Sequence, residues 1–229
     1  MLTKTDLKNE IASKNRGISA TATERQAIAG MIARLEDLNP TPEPLSATAL
    51  LAGDWRLLYT TSQELLGIDR FPLAALGNIY QCVRPQHSLI YNIAELKSAP
   101  YLEGLVSVVA SFAPATVSTS STTTSSTTTN STTTGSTTAS TADSLSKNRV
   151  NVKFNRAIIG LQRILGYQSP AQYIQKLETT DKFNLLQGID FAIDAERQQG
   201  WLEITYLDKD LRIGRGNQGS LFVLTKDLA

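Results

Sequence analysis

The 229-residue sequence predicts a mainly β protein: an antiparallel barrel with an N-terminal helical segment and a short additional helix. Three observations carry that prediction. About eight segments alternate apolar and polar residues with the period of two that marks a half-buried strand. Residues 200–226, GWLEITYLDKDLRIGRGNQGSLFVLTK, read as three short strands joined by tight turns at 208–210 and 216–219. A meander that short is not stable alone, so the rest of the chain must supply the sheet it completes. Helical spacing, by contrast, occurs mainly before a proline-rich stretch at 39–44. An antiparallel barrel of about eight strands has room for one small ligand.

The elements follow in order. Residues 5–14 form a short polar helix that Gly17 ends. A second helix takes Thr23 as its cap, with Gln26 three residues on as capping-box partner. Ile28, Met31, Ile32, Leu35 and Leu38 share its apolar face. Asn39-Pro40-Thr41-Pro42-Glu43-Pro44 stops it, because proline cannot continue a helix. Residues 1–44 are therefore expected to be a helical segment and linker, and residues 45–229 the β domain. The apolar stripe packs on its own domain or meets a membrane or partner.

The first strand is 54–60, with Trp55, Leu57 and Tyr59 on one face and Arg56 and Leu58 on the other. Residues 65–77 are irregular and read as a loop or short helix across a barrel mouth. Residues 79–83 and 88–96 form a hairpin around 84–87, and 105–112 is a further strand. Residues 117–142 are almost entirely Ser and Thr and lack the apolar residues that offset the entropy of ordering. They read as a disordered insertion at a hairpin tip, where extra loop length is tolerated cheaply. Ser169 caps a short helix with Pro170 at its first position, running to about Glu178. Residues 183–193 read as a strand pair or an irregular strand.

Composition narrows the function. The net charge of +1 gives no basic stripe for nucleic acid. Cys82 is alone, so no intrachain disulfide forms, and no apolar run is long enough to span a bilayer. With one histidine, His87, and one cysteine, no familiar zinc site or Ser-His-Asp triad is expected. Gly214 to Gly219 matches G-x-G-x-x-G, but a strand follows where a dinucleotide site needs a helix. Asp208 and Asp210 read as an Asx-type turn rather than a catalytic carboxylate pair. No cofactor, metal or catalytic residue is expected.

Two motifs carry a resemblance. GDWRLLYTTS at 53–62 and YLDKDLRIGRGNQGSLFVL at 206–224 resemble the N- and C-terminal signatures of the fibrillin, or plastid lipid-associated, family. Gly-Asp-Trp also resembles the Gly-x-Trp opening of lipocalin-like barrels, where the tryptophan plugs the closed end. The resemblance covers about residues 50–226 apart from the insertion. It implies a lipocalin-like barrel and, for Trp55, Tyr59, Tyr206, Leu207, Asp208, Arg212, Arg215 and Gly216, a structural signature role. It also implies a non-enzymatic protein that binds or stores a carotenoid, quinone or fatty acid at a thylakoid or plastoglobule-like lipid surface. A lipid-body coat without internal ligand, or an enzyme on an apolar substrate, are the alternatives. The N-terminus lacks a signal-peptide core and is acidic early, unlike a transit peptide. A cyanobacterial source, or a plastid one after removal of a transit segment, is therefore expected, and a secreted protein is not. The resemblance further implies an arginine of the late strand lying across Trp55, either Arg212 or Arg215. The sequence itself names no ligand-contacting residue.

Overall fold

The structure, a computed structural model, describes residues 2–62, 75–119, 142–194 and 199–227. Two helices come first, α1 (Lys4–Ala12) and α2 (Ala22–Glu36). Each begins with a reciprocal capping box, Thr3 with Asp6 and Thr21 with Glu24. The α2 cap thus lies two residues before the expected Thr23–Gln26 pair. Glu24 wins because a carboxylate bonds more strongly to the cap N–H and is favoured by the helix dipole. Ile28, Ile32 and Leu35 are buried and Met31 packs beside them. Leu38 is exposed, because the helix has already ended at Glu36.

After α3 (Thr48–Leu51) come β1 (Gly53–Thr60), β2 (Ala75–Arg84), β3 (Leu89–Lys97), β4 (Gly104–Thr119) and β5 (Ala142–Leu161). Two short helices follow, α4 (Gln162–Leu165) and α5 (Pro170–Thr179), the latter capped by Ser169 with Pro170 at its start. Then come β6 (Ile189–Ala192), β7 (Gln199–Leu207), β8 (Leu211–Gly216) and β9 (Leu221–Lys226). The sheet runs β4-β3-β2-β1-β9-β8-β7-β5, and β4 pairs with β5, so eight antiparallel strands close into a barrel. β5 is long enough to serve two neighbours on one edge: Arg149–Lys153 pairs with β7, and Arg156–Ile159 pairs with β6.

Several sequence expectations shift. Of the irregular stretch 65–77, residues 75–77 belong to β2 and the remainder lies outside the described residues. The strand at 105–112 extends to Thr119, and pairing continues to Thr119 with Ala142. The ends of the Ser/Thr tract are therefore strand; its centre, 120–141, lies outside the described residues. Residues 183–193 hold a single short strand, β6.

The first-strand pattern also changes. Leu57 faces Leu224 in the register, but Tyr59, two residues on, faces Val223, which is one residue on. That bulge turns Tyr59 to the opposite face from Trp55 and Leu57. A second bulge, between Ile204 and Tyr206 opposite Gly214 and Ile213, turns Tyr206 outward too. Both tyrosines join Ile213 and Val223 in the cluster beneath α1 and α2, whereas Trp55, Leu57 and Ile204 stay in the interior cluster. A third cluster lies under α5, with Tyr80, Cys82 and Ile93 of the sheet against Tyr173, Ile174 and Leu177.

Polar contacts fix the N-terminal helices on this outer face. Asp208 Oδ1 accepts from the backbone N–H groups of Asp210 (2.9 Å) and Leu211 (2.8 Å), which closes an Asx-type turn. Its Oδ2 accepts from Tyr206 Oη (2.8 Å) and Lys4 Nζ (2.7 Å). Asp210 accepts from Lys4 Nζ (2.5 Å) and Lys8 Nζ (3.2 Å). At the C-terminal end of α2, Arg215 donates through Nε and Nη2 to both oxygens of Glu36, at 2.9 and 2.6 Å. The linker joins in: Asn39 Oδ1 accepts from Leu207 N, and Thr41 Oγ1 donates to Leu207 O.

Burial alone would raise the Asp208 carboxyl, but the hydrogen bonds from Lys4, the turn N–H groups and Tyr206 outweigh it and hold it well below the usual carboxylate range. The folded pKa lies under the unfolded value of about 3.9. The turn therefore contributes its full stability above that value and loses it as the pH falls, over about pH 5 to 1. Asp208→Asn is expected to lower stability near pH 7 by about 1–3 kcal/mol and to give a shallower loss on acidification than the parent. Urea midpoints measured at about pH 7, 5 and 3 check this; parallel acid limbs would contradict it.

Candidate functional site

The closed end of the barrel is built around Trp55, which is fully buried. Gly53 opens β1 at φ +135°, and a Cβ there would sit 2.6 Å from Lys226 Cε. That positive φ favours glycine whatever the space around it. Trp55 Nε1 donates to Leu51 O of α3 at 2.9 Å, so the indole N–H is satisfied in the core. The Arg212 guanidinium carbon lies 5.0 Å from the ring centroid, and Lys226 Nζ lies 5.1 Å from it. Lys226 also donates to Leu50 O.

Arg212, not Arg215, takes this position because β8 pairs with β9 without a bulge. Strict alternation then puts Arg212, Gly214 and Gly216 inside and Leu211, Ile213 and Arg215 outside. Gly216 is tight as well: a Cβ would lie 3.0 Å from the Phe222 ring. Arg212 is 2% exposed. Burial pushes its pKa down to about 9, which leaves it charged at neutral pH. Burial, and then the neighbouring Arg212, also lower Lys226.

Above this plug is a cavity of about 330 Å³. Its wall includes Leu57, Ile79, Ile90, Val108, Phe154 and Phe222, and its mouth includes Ser62, Trp201, Asn217 and Gln218. The Trp201 ring is held by Arg149, whose guanidinium carbon is 4.0 Å from the centroid. Two polar side chains interrupt the apolar wall. Gln81 and Asn92 are direct partners across β2 and β3, and Gln81 Nε2 donates to Asn92 Oδ1 at 3.1 Å. Arg212 Nη2 donates to Gln81 Oε1 at 2.5 Å. The plug and the cavity are thus joined by hydrogen bonds through Gln81.

The signature residues divide between the two faces of the sheet. Trp55, Leu207, Arg212 and Gly216 lie on the inner side, and Tyr59, Tyr206, Asp208 and Arg215 meet the N-terminal helices. Gln81 and Asn92 do not stand out in the sequence alone. The signal was there: each is the polar middle of an inward apolar triplet, Ile79-Gln81-Val83 and Ile90-Asn92-Ala94.

Other candidates stay apart. His87 is exposed in the single 3-10 turn between β2 and β3. Burial raises the Cys82 thiol, so it stays protonated beneath α5. The Gly214–Gly219 stretch is strand and 3-10 turn leading into β9. Among the described residues no cluster of three or more His, Cys, Asp or Glu could hold a metal, and no helix is long and apolar enough to cross a membrane.

Fold and site together define a closed antiparallel barrel, plugged at one end, with a small, mostly apolar cavity. The family model described as PAP_fibrillin matches residues 1–121 and 116–225, and the chain belongs to this family. It is 32% identical to Plastoglobulin-1, chloroplastic, of Pisum sativum, over 98% of this chain and 60% of that protein. It is 27% identical to Probable plastid-lipid-associated protein 2, chloroplastic, of Arabidopsis thaliana, over 98% of this chain and 70% of that protein. It is 29% identical to Light-induced protein, chloroplastic, of Solanum tuberosum, over 99% and 67%. No solved structure matches.

A guanidinium over an indole contributes about 0.5–2 kcal/mol, toward the upper end when water is excluded. A double-mutant cycle of Trp55→Phe with Arg212→Met is expected to give a coupling in that range. The same cycle with Arg215→Met should be additive, since Arg215 faces Glu36 on the other side of the sheet. Additivity in both cycles would remove Arg212 from the plug.

Proposed function

We propose that this protein is a non-enzymatic carrier of one small apolar molecule, working while docked at a lipid surface such as a thylakoid or a plastoglobule-like body. The mostly apolar cavity is the observation that carries this reading. Its volume lies at the low end of the roughly 300–1,000 Å³ of small-molecule sites. A quinone ring or a length of fatty-acyl chain fits within it. A carotenoid would leave most of its length outside. The names of the relatives, plastoglobulin and plastid-lipid-associated protein, support the lipid surface.

The outer surface supports it as well. Exposed large apolar side chains gather at one end of the barrel. Leu185 and Leu186 are 86% and 88% exposed on the turn before β6, and Tyr101 is 71% exposed on the β3–β4 turn. Ile164 of α4 and Ile189 of β6 are exposed beside them. Monomeric proteins rarely leave such a patch in water without a use. Arg163 lies over the Tyr101 ring at 5.3 Å, and Lys97 and Lys182 are exposed nearby in the chain. Long cations beside apolar tips suit an interfacial position, with the tips among acyl chains and the charges at the head groups. The same patch would serve a lipid-body coat with no internal ligand, so the cavity is what separates the two readings.

The purified protein is expected to float with lipid vesicles, and Leu185→Ser with Leu186→Ser to weaken that partition by about tenfold or more, given about 1.5–3 kcal/mol for burying one leucine. Unchanged flotation of the double variant would reject this face. The uncharged probe N-phenyl-1-naphthylamine is expected to bind saturably and change Trp201 fluorescence. Flotation without saturable probe binding would favour the coat.

A further inference from the structure

Arg212 fixes the hydrogen-bonding direction of two polar side chains in the cavity wall. The inference rests on the reading that the cavity takes a small apolar molecule, and it adds which kind. An arginine side chain has five N–H donors and no acceptor. Its contact with Gln81 must therefore be made to the amide oxygen, which sets the orientation of Gln81. The Gln81 NH₂ group then points to Asn92, whose side-chain oxygen accepts at 3.1 Å. That sets Asn92 in turn. Its NH₂ group is left over, with no partner among the described residues, on a half-buried side chain that lines the cavity.

Each link admits one direction only, so the chain Arg212–Gln81–Asn92 ends in a donor. The cation at its root is 2% exposed, and no described carboxylate lines the cavity or hydrogen-bonds to it. A buried positive charge without a counter-ion favours a negative group within reach, and low local polarity strengthens that attraction. We propose that Asn92, polarised through Gln81 by Arg212, receives the oxygen of a single-headed amphiphile, and that a fatty carboxylate is the preferred ligand class. A ketone or quinone carbonyl satisfies the same donor without the charge. A hydrocarbon leaves it unpaired, which costs affinity because the site has then lost its water. A cationic head group meets a donor and a like charge together.

Displacement of N-phenyl-1-naphthylamine from the full chain tests this with two ligands of one chain length, dodecanoate and dodecylammonium. Dodecanoate is expected to bind about tenfold or more tightly than dodecylammonium, the scale of a hydrogen bond to a charged group. Asn92→Asp places an acceptor and a negative charge where the donor was, and is expected to abolish or invert that preference. Asn92→Leu, a non-polar variant of similar size, should lose it without inverting it. The preference is read as the ratio of the two ligands' affinities within each variant, so a change in the probe's own affinity cancels. Equal binding of the two ligands by the parent, or an unchanged preference in both variants, overturns the proposal while leaving the cavity in place. Failure of the probe itself to bind the parent overturns the cavity reading and the head-group site with it.

Discussion

A full positive charge inside the barrel is the constraint on which the rest depends. Moving an ion from water into an apolar interior costs several kcal/mol or more. Arg212 is 2% exposed, so its neighbours must offset that cost. They are the face of Trp55 and the amide oxygen of Gln81. Trp55 can present its face only because its own N–H is taken by Leu51 O. Gly53 lets the chain turn into β1 beneath Lys226. The pairing of β1 with β9 brings the two signatures together, although some 150 residues separate them in sequence.

The C-terminal signature works on both faces of the sheet. Going along β7 and β8, the bulge before Tyr206 sends that tyrosine outward, the turn at Asp208 and Asp210 takes Lys4 and Lys8, and Arg215 takes Glu36. Between them Arg212 points inward. One short run of residues thereby holds the N-terminal helices on the outside and sets the polarity of the cavity on the inside. The exposed ion pairs contribute little one by one. The apolar cluster beneath α1 and α2, with Ile28 and Ile32 fully buried, supplies most of that attachment, and the ion pairs set its register.

Much of this was legible in the sequence, for physical reasons. Alternation with a period of two marks strands wherever one face is buried, and it marks the closing meander and the hairpin at 84–87; cap chemistry marks the Ser169-Pro170 helix start. It failed where period and pairing part. Tyr59 was placed beside Trp55 because a bulge has no mark in the alternation itself. The α2 cap was misplaced because two Thr-x-x-Glu/Gln boxes overlap, and charge, not pattern, decides between them. Arg212 and Arg215 could not be told apart until the register of β8 was known. Gln81 and Asn92 were missed because a polar residue within an apolar triplet acquires meaning only when the facing strand and its arginine are in place.

The central claim is that one buried arginine both plugs the barrel and selects what the cavity holds. It is tested most directly by exposing the purified protein to a total lipid extract, removing unbound lipid, and identifying by mass spectrometry what an organic solvent then releases. The account predicts a single-headed amphiphile with a carboxylate or carbonyl oxygen, bound at about one per chain as expected for one small site, and lost from Asn92→Asp. Release of hydrocarbon alone, or of the same molecule in the same amount from Asn92→Asp, would contradict it.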